Sequence, residues 1–178
     1  GVSRVPLREA LKILEGEGQV TYYPHRGYFV TELSVSDLLE VYRIRFLLEG
    51  EAIQRAIVEV DDDDVTYIAG LLEEVESAGE SGDTSALTSA NRAFHFAIFE
   101  LASQPRLTRM IRVLWDATDA YRAVYFREPV NRERVFHEHR AMLEALRSRD
   151  ADTLIALQEE HRAHSVASVR MVLEASSS

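Results

Sequence analysis

From Ser36 to about Ala175 the apolar residues recur at three- and four-residue spacing, and no alternating strand pattern interrupts them. A chain written this way can bury its apolar stripes only by laying helices against one another, which makes a bundle the expected architecture. Breakers and caps divide the run. The first helix is expected over about Ser36–Val60, carrying Leu38, Leu39, Tyr42, Ile44, Leu47, Leu48, Ala52 and Ile53. Asp61-Asp62-Asp63-Asp64 opens the second, because carboxylates at a helix start accept from the free amides and favour the dipole. A calcium loop would need spaced ligands and a glycine, which this acidic run lacks. The second helix ends near Gly79–Asp83, and the third covers about Thr84–Ala102. Gln104-Pro105 and Glu128-Pro129 then bound a fourth helix over about Arg106–Phe126. A fifth is expected over about Asn131–Arg147, and a sixth, capped by Asp150, runs to about Ala175. The fold class is therefore mainly α, an antiparallel bundle of about six helices over residues 34–178.

Residues 1–33 read differently. Ser3 is a good N-cap, Pro6 is tolerated in a first turn, and Leu7, Ala10, Leu11 and Leu14 keep helical spacing up to Gly16 and Gly18. Two strand-like runs follow, Gln19–Tyr23 and Tyr28–Thr31, separated by the basic turn Pro24-His25-Arg26-Gly27. Helix, strand, basic turn, strand is the order of a winged helix, with Arg4 and Arg8 on one helix face near its start, where recognition helices meet DNA. An ordinary helix and hairpin with scattered arginines fits the spacing equally well.

Composition bounds the function classes. At 178 residues the chain holds one domain, or a domain with a small module, and 46% hydrophobic residues suffice for a folded core. No apolar run approaches a membrane span and no secretory signal is present. The absence of cysteine excludes disulfides and thiolate metal sites and fits a cytoplasmic location. Net charge is −10, yet residues 1–30 hold four basic against three acidic side chains, so the acidity lies in the body. That division suits a small DNA-contacting head on a body that DNA repels. The first residue is Gly1 rather than Met, so a fragment of a longer chain is expected.

Inside the helical body, Asn91 and His95 stand four residues apart, one turn apart on one face. His139 precedes the stripe Met142, Leu143, Leu146, and His161 follows Leu154 and Leu157. Three helices each offer an imidazole beside an apolar stripe. Neutral imidazoles with one oxygen donor suit a borderline divalent metal, zinc or nickel. Hydrogen-bonded histidines at the edge of a core are the plainer alternative, since spacing within helices does not bring separate helices together.

Two sets of motifs resemble a known family. Ser3-Arg4-Val5-Pro6-Leu7-Arg8-Glu9-Ala10-Leu11, Leu14-Glu15-Gly16-Glu17-Gly18 and Pro24-His25-Arg26-Gly27-Tyr28-Phe29-Val30 resemble the recognition helix and wing of GntR transcription regulators. Gln19 departs from the apolar residue usual there. The resemblance implies that Ser3, Arg4 and Arg8 meet operator DNA, with His25, Arg26 and Gly27 at the adjacent groove or backbone. A complete winged helix has two helices before this point, so the fragment alone is expected to bind DNA poorly. The body resembles the FCD effector-binding domain of the FadR subfamily, through Arg45-Phe46-Leu47-Leu48-Glu49, Asn91-x-x-Phe94-His95, and Glu138-His139 with Ala145, Asp150 and His161. Six helices rather than seven resemble its VanR-type branch.

By that resemblance His95, His139 and His161 are metal ligands and Asn91 supplies a fourth group, where the family commonly has Asp. A small organic acid would take the open position, with Arg45 pairing its carboxylate. A salt bridge from Arg45 to Glu49, one turn on, is the other reading of that arginine. His137 and His164 match no ligand and are expected to face solvent or to support the ligands. The function implied is a ligand-responsive regulator, not an enzyme: a homodimer on a palindromic operator, with an effector-binding, metal-holding body and no membrane association. Two alternatives remain at this level. One is a helical-bundle metalloenzyme using a three-histidine zinc site, with Glu138 the nearest general base; the other is an interaction module whose histidines are core residues.

Overall fold

The computed structural model describes residues 4–16, 19–31 and 35–176. The head consists of α1 (Arg4–Gly16), β1 (Val20–Tyr23) and β2 (Gly27–Val30). The two strands pair antiparallel with Val20 opposite Val30 and Tyr23 opposite Gly27. Gln19, the departure from the usual apolar residue, acts through its backbone. Its amide donates to the Leu14 carbonyl, and its carbonyl accepts from Thr31, which ties the strands to the end of α1. His25 and Gly27 take φ of 62° and 96°, and the Arg26 amide closes the turn on the Tyr23 carbonyl. Glycine at 27 meets a backbone requirement that a side chain would strain. The expected cap Ser3 lies outside the described residues.

The body is built from α2 (Val35–Glu59), α3 (Asp62–Ser81), α4 (Thr84–Glu100), α5 (Pro105–Asp116), α6 (Asp119–Tyr125), α7 (Pro129–Arg147) and α8 (Ala151–Ser176). Asp61 and Asp64 form a reciprocal capping box at the start of α3, so the acidic run is a helix cap. Asp83 accepts from the amides of Ser85 and Ala86 to start α4, and Asp150 accepts from Thr153 at the start of α8. Pro105 and Pro129 stand inside the first turns of α5 and α7, where a missing amide costs nothing, rather than in the breaks before them. Helix α3 packs on α4 and α7. Helix α2 packs on α8, α5 and α4, and α8 also touches α7 and α6. Trp115, Phe94, Phe99, Phe126, Ile53, Ile68 and Met142 fill the shared core.

One boundary differs from expectation. The single helix expected over Arg106–Phe126 is two, α5 and α6, so the described body has seven helices, not six. Neither Gly nor Pro marks the break. Thr118 leaves the helical path at φ −115° and ψ 1°; its hydroxyl donates to the Trp115 carbonyl at 3.1 Å and lies 3.3 Å from Arg45 Nη1. A side chain hydrogen-bonding its own backbone replaces helix continuation there. The seventh helix also removes the count that pointed to the VanR-type branch.

Gly79 of α3 faces the Phe136 ring of α7. A Cβ on Gly79 would lie 2.2 Å from the edge of that ring. Gly79→Ala is therefore expected to destabilise by about 1–3 kcal/mol through overpacking. In a Phe136→Ala background the same change should become stabilising by about 1 kcal/mol, the helix-propensity gain alone. Urea unfolding of the four proteins measures both steps, and an unchanged sign in the second background would refute the contact.

Candidate metal centre

Helix α4 carries Asn91, Phe94, His95, Ile98 and Phe99 on its buried face; α7 contributes His139 and α8 contributes His161. The three imidazoles converge. His95 Nε2 lies 3.1 Å from His139 Nε2, and one nitrogen from each of the three rings falls within 4.8 Å of the others. Ring centroids are 4.8 to 5.0 Å apart, and the Phe94 ring stacks on His139 at 4.4 Å. His95, His139 and Asn91 have no solvent exposure, and His161 has 7%. Burial, then the adjacent imidazoles and the Arg122 and Arg45 charges, push His95 well below the ordinary 6.5. Burial and His161 do the same to His139. Both rings are thus neutral near pH 7, the state in which an imidazole binds a metal.

The donor set fits a cation. Both amide atoms of Asn91 are buried without a hydrogen-bond partner, as are Nδ1 of His95 and of His139. Leaving such a group unpaired costs about 1–3 kcal/mol. Nitrogens bound to one zinc at about 2.1 Å sit roughly 3–3.5 Å apart, a spacing that His95 and His139 already approximate. Asn91 shares the helix face of His95 at one-turn spacing.

His161 is held from outside the cluster. Its Nδ1 lies 2.6 Å from Glu138 Oε2, and the other Glu138 oxygen lies 2.6 Å from His164 Nδ1. Burial works to raise the Glu138 carboxyl, but bonds and charge from His161 and His164 outweigh it and hold it below its ordinary range. Glu138, next to His139 on α7, turns toward α8. His164 meets the outer oxygen of Glu138, away from the cluster, and His137 is exposed.

A charged wall adjoins the histidines. Glu49 is fully buried and accepts from Arg45 Nε at 2.7 Å, Trp115 Nε1 at 2.7 Å, Gln158 Nε2 at 3.1 Å and, closer still, Arg162 Nη1. Burial alone would raise its pKa; Arg45 and Arg162 overturn that and lower it. The guanidiniums of Arg45 and Arg122 lie 4.3 and 4.0 Å from the Trp115 ring centroid, and His95 abuts the same ring at 5.1 Å. The Arg45–Glu49 ion pair that competed with a pocket role is present, and it is buried beside the cluster rather than on the surface. Trp115, Thr118, Arg122, Gln158 and Arg162 were not singled out in the sequence. A signal existed for part of this set: Gln158, His161, Arg162 and Ser165 put polar residues at positions of the buried stripe of α8.

In the head, Arg8 on α1 is exposed, as are His25 and Arg26 at the hairpin tip. The Arg26 guanidinium sits 5.4 Å from the Phe29 ring centroid and 6.0 Å from that of Tyr23. Arg4 lies in α1, but its side chain, like Ser3, is outside the described residues.

Known proteins share this fold. The chain is 27% identical over 175 residues to the uncharacterised HTH-type transcriptional regulator YdhC of Bacillus subtilis, covering 98% of this chain and 78% of that one. It is 34% identical over 115 residues to the HTH-type transcriptional regulator McbR of Escherichia coli, covering 65% of this chain but only about half, 52%, of McbR. The solved structure of E. coli McbR superposes with a TM-score of 0.89 at 26% identity, covering 96% of this chain and 86% of that one. A GntR transcriptional regulator from Rhodococcus sp. RHA1 shares the fold, with a TM-score of 0.78 at 21% identity over 94% and 80% of the two chains. The FCD domain profile matches residues 40–164. The chain belongs to the FCD-domain family. Kinship of this FCD protein with transcription regulators makes its role regulatory and not enzymatic. No helix among the described residues of the FCD protein is long and apolar enough to cross a membrane.

The neutral histidines make stability depend on pH. Their folded pKa values lie below the unfolded ones, so below about pH 6.5 the unfolded chain takes up protons that the folded one refuses. The unfolding free energy of metal-free protein is expected to fall by about 1.4 kcal/mol per pH unit for each of His95 and His139 as pH drops below about 6.5. Urea melts across that range read the slope. His139→Gln should remove one such increment, and an undiminished slope in that variant would contradict the burial argument.

Proposed function

We propose that residues 34–178 form a metal-holding effector domain that controls a DNA-binding head spanning residues 1–33, in a cytoplasmic, homodimeric regulator of the FadR subfamily. The observations that carry the reading are the convergence of three buried imidazoles and, one helical turn from His95, an Asn91 amide buried without a partner. His95, His139, His161 and the Asn91 carbonyl oxygen would hold a divalent metal, zinc or nickel, which supplies a Lewis-acidic position for the carboxylate of a small organic acid. Asn91 contributes a neutral oxygen where Asp would contribute charge, so the bound ion keeps more of its positive charge for the effector. Arg45 is the side chain for the second oxygen of that carboxylate, held ready by Glu49 and Thr118.

The site is closed: His95 and His139 are wholly buried, so an effector enters only if helices part. An effector that binds the parted arrangement better shifts the population toward it, and it shifts nothing otherwise. In a dimer that movement changes the spacing of two heads, whose Arg4, Arg8, His25 and Arg26 meet the half-sites of a palindromic operator. The metalloenzyme alternative loses ground because Glu138, its nearest general base, is already held by His161 and His164.

Elemental analysis of tag-free protein tests the reading. About one zinc or nickel per chain is expected in wild type and none in His139→Ala. A wild type that stays metal-free after reconstitution with either ion would remove the metal and leave Arg45 and the histidines to hold an effector by hydrogen bonds.

A further inference from the structure

The Glu138 carboxylate bridges two histidines of α8, His161 on its buried side and the half-exposed His164 on its outer side. An ionised carboxylate only accepts hydrogen bonds, so each bond of 2.6 Å requires a proton on Nδ1 of its histidine. That leaves Nε2 of a neutral His161 with a free lone pair. The Nδ1 of His161 is engaged by Glu138, so Nε2 is the nitrogen left to serve the cluster with His95 and His139. Neither His95 nor His139 has such a partner, since their Nδ1 atoms are buried and unbonded. His161 is thus the one histidine of the three whose tautomer and ring orientation the protein fixes in advance by a hydrogen bond at Nδ1.

We propose that Glu138 is the positioning residue of the metal centre: it locks His161 with Nδ1 protonated and Nε2 turned to the cluster. This rests on the metal reading given above, but the tautomer can be tested without any metal. A carboxylate on the far nitrogen also makes the ligating one more basic, and removing such a partner ordinarily weakens metal binding about 10- to 100-fold. His164 shares the carboxylate without supplying anything to the cluster, so its loss leaves the His161 bond in place.

Long-range proton–nitrogen NMR of metal-free protein shows which ring nitrogen of His161 carries the proton. Wild type should show Nδ1 protonated, and Glu138→Gln should lose that preference, because an amide can also donate to the ring. Competition against a chelator should then give zinc affinity about 10- to 100-fold weaker in Glu138→Gln and unchanged in His164→Ala. Wild-type His161 protonated on Nε2 overturns the proposal, whether or not the variant folds. Undiminished zinc affinity in a folded Glu138→Gln overturns it too. Wild-type protein that binds no zinc yet shows the Nδ1 proton supports the locked tautomer and sinks the metal reading instead.

Discussion

A carboxylate sealed from water must be answered by the groups around it, and Glu49 draws three helices together to do so. Arg45 comes from its own helix α2, Trp115 from α5, and Gln158 and Arg162 from α8. Such a cluster adds little net stability, because desolvating the charges offsets most of their attraction. Its effect is on arrangement: sliding any one helix would strand a buried charge, at about 3–5 kcal/mol. Trp115 is fixed by this demand, and Trp115 in turn forms the wall against which His95 packs. The placement of the histidines therefore depends on an ion-pair cluster that contains none of them.

What could be read in advance follows from the range of each interaction. Caps were legible because they are local: Asp61 and Asp150 each act within three residues. The pairing of Asn91 with His95 was legible for the same reason, since one turn of helix decides it. Convergence of His95, His139 and His161 was not a matter of spacing; it came from likeness to a family, and the packing of α4, α7 and α8 then realised it. The break at Thr118 left no mark in the sequence because no Gly or Pro causes it. Its cause includes Arg45, 73 residues earlier in the chain, and no local window contains both. Glu138 was legible as a motif residue and a candidate base, but not as the holder of His161 and His164, because those partners lie on the next helix.

Kinship and geometry bear on different parts of the molecule. The family match covers residues 40–164 and kinship with HTH-type regulators gives the role, while the contents of the site depend on atoms that neither specifies. Four buried polar atoms of Asn91, His95 and His139 have no partner, a concentration of unmet bonding that a folded chain rarely tolerates without use. The charges of Arg122 and Arg45 act on His95 from the adjoining wall, while His95 and His139 are themselves neutral.

The aromatic support under Arg26 has a consequence for the entropy of association. A free arginine samples many rotamers and loses that freedom, worth about 1.5–2 kcal/mol, when it is fixed against a partner. At the tip of the hairpin the guanidinium already rests against Tyr23 and Phe29, on a turn whose backbone is set by the left-handed conformations of His25 and Gly27. Part of the ordering is therefore done during folding, and a polyanion arriving at this tip meets a charge that is already aimed.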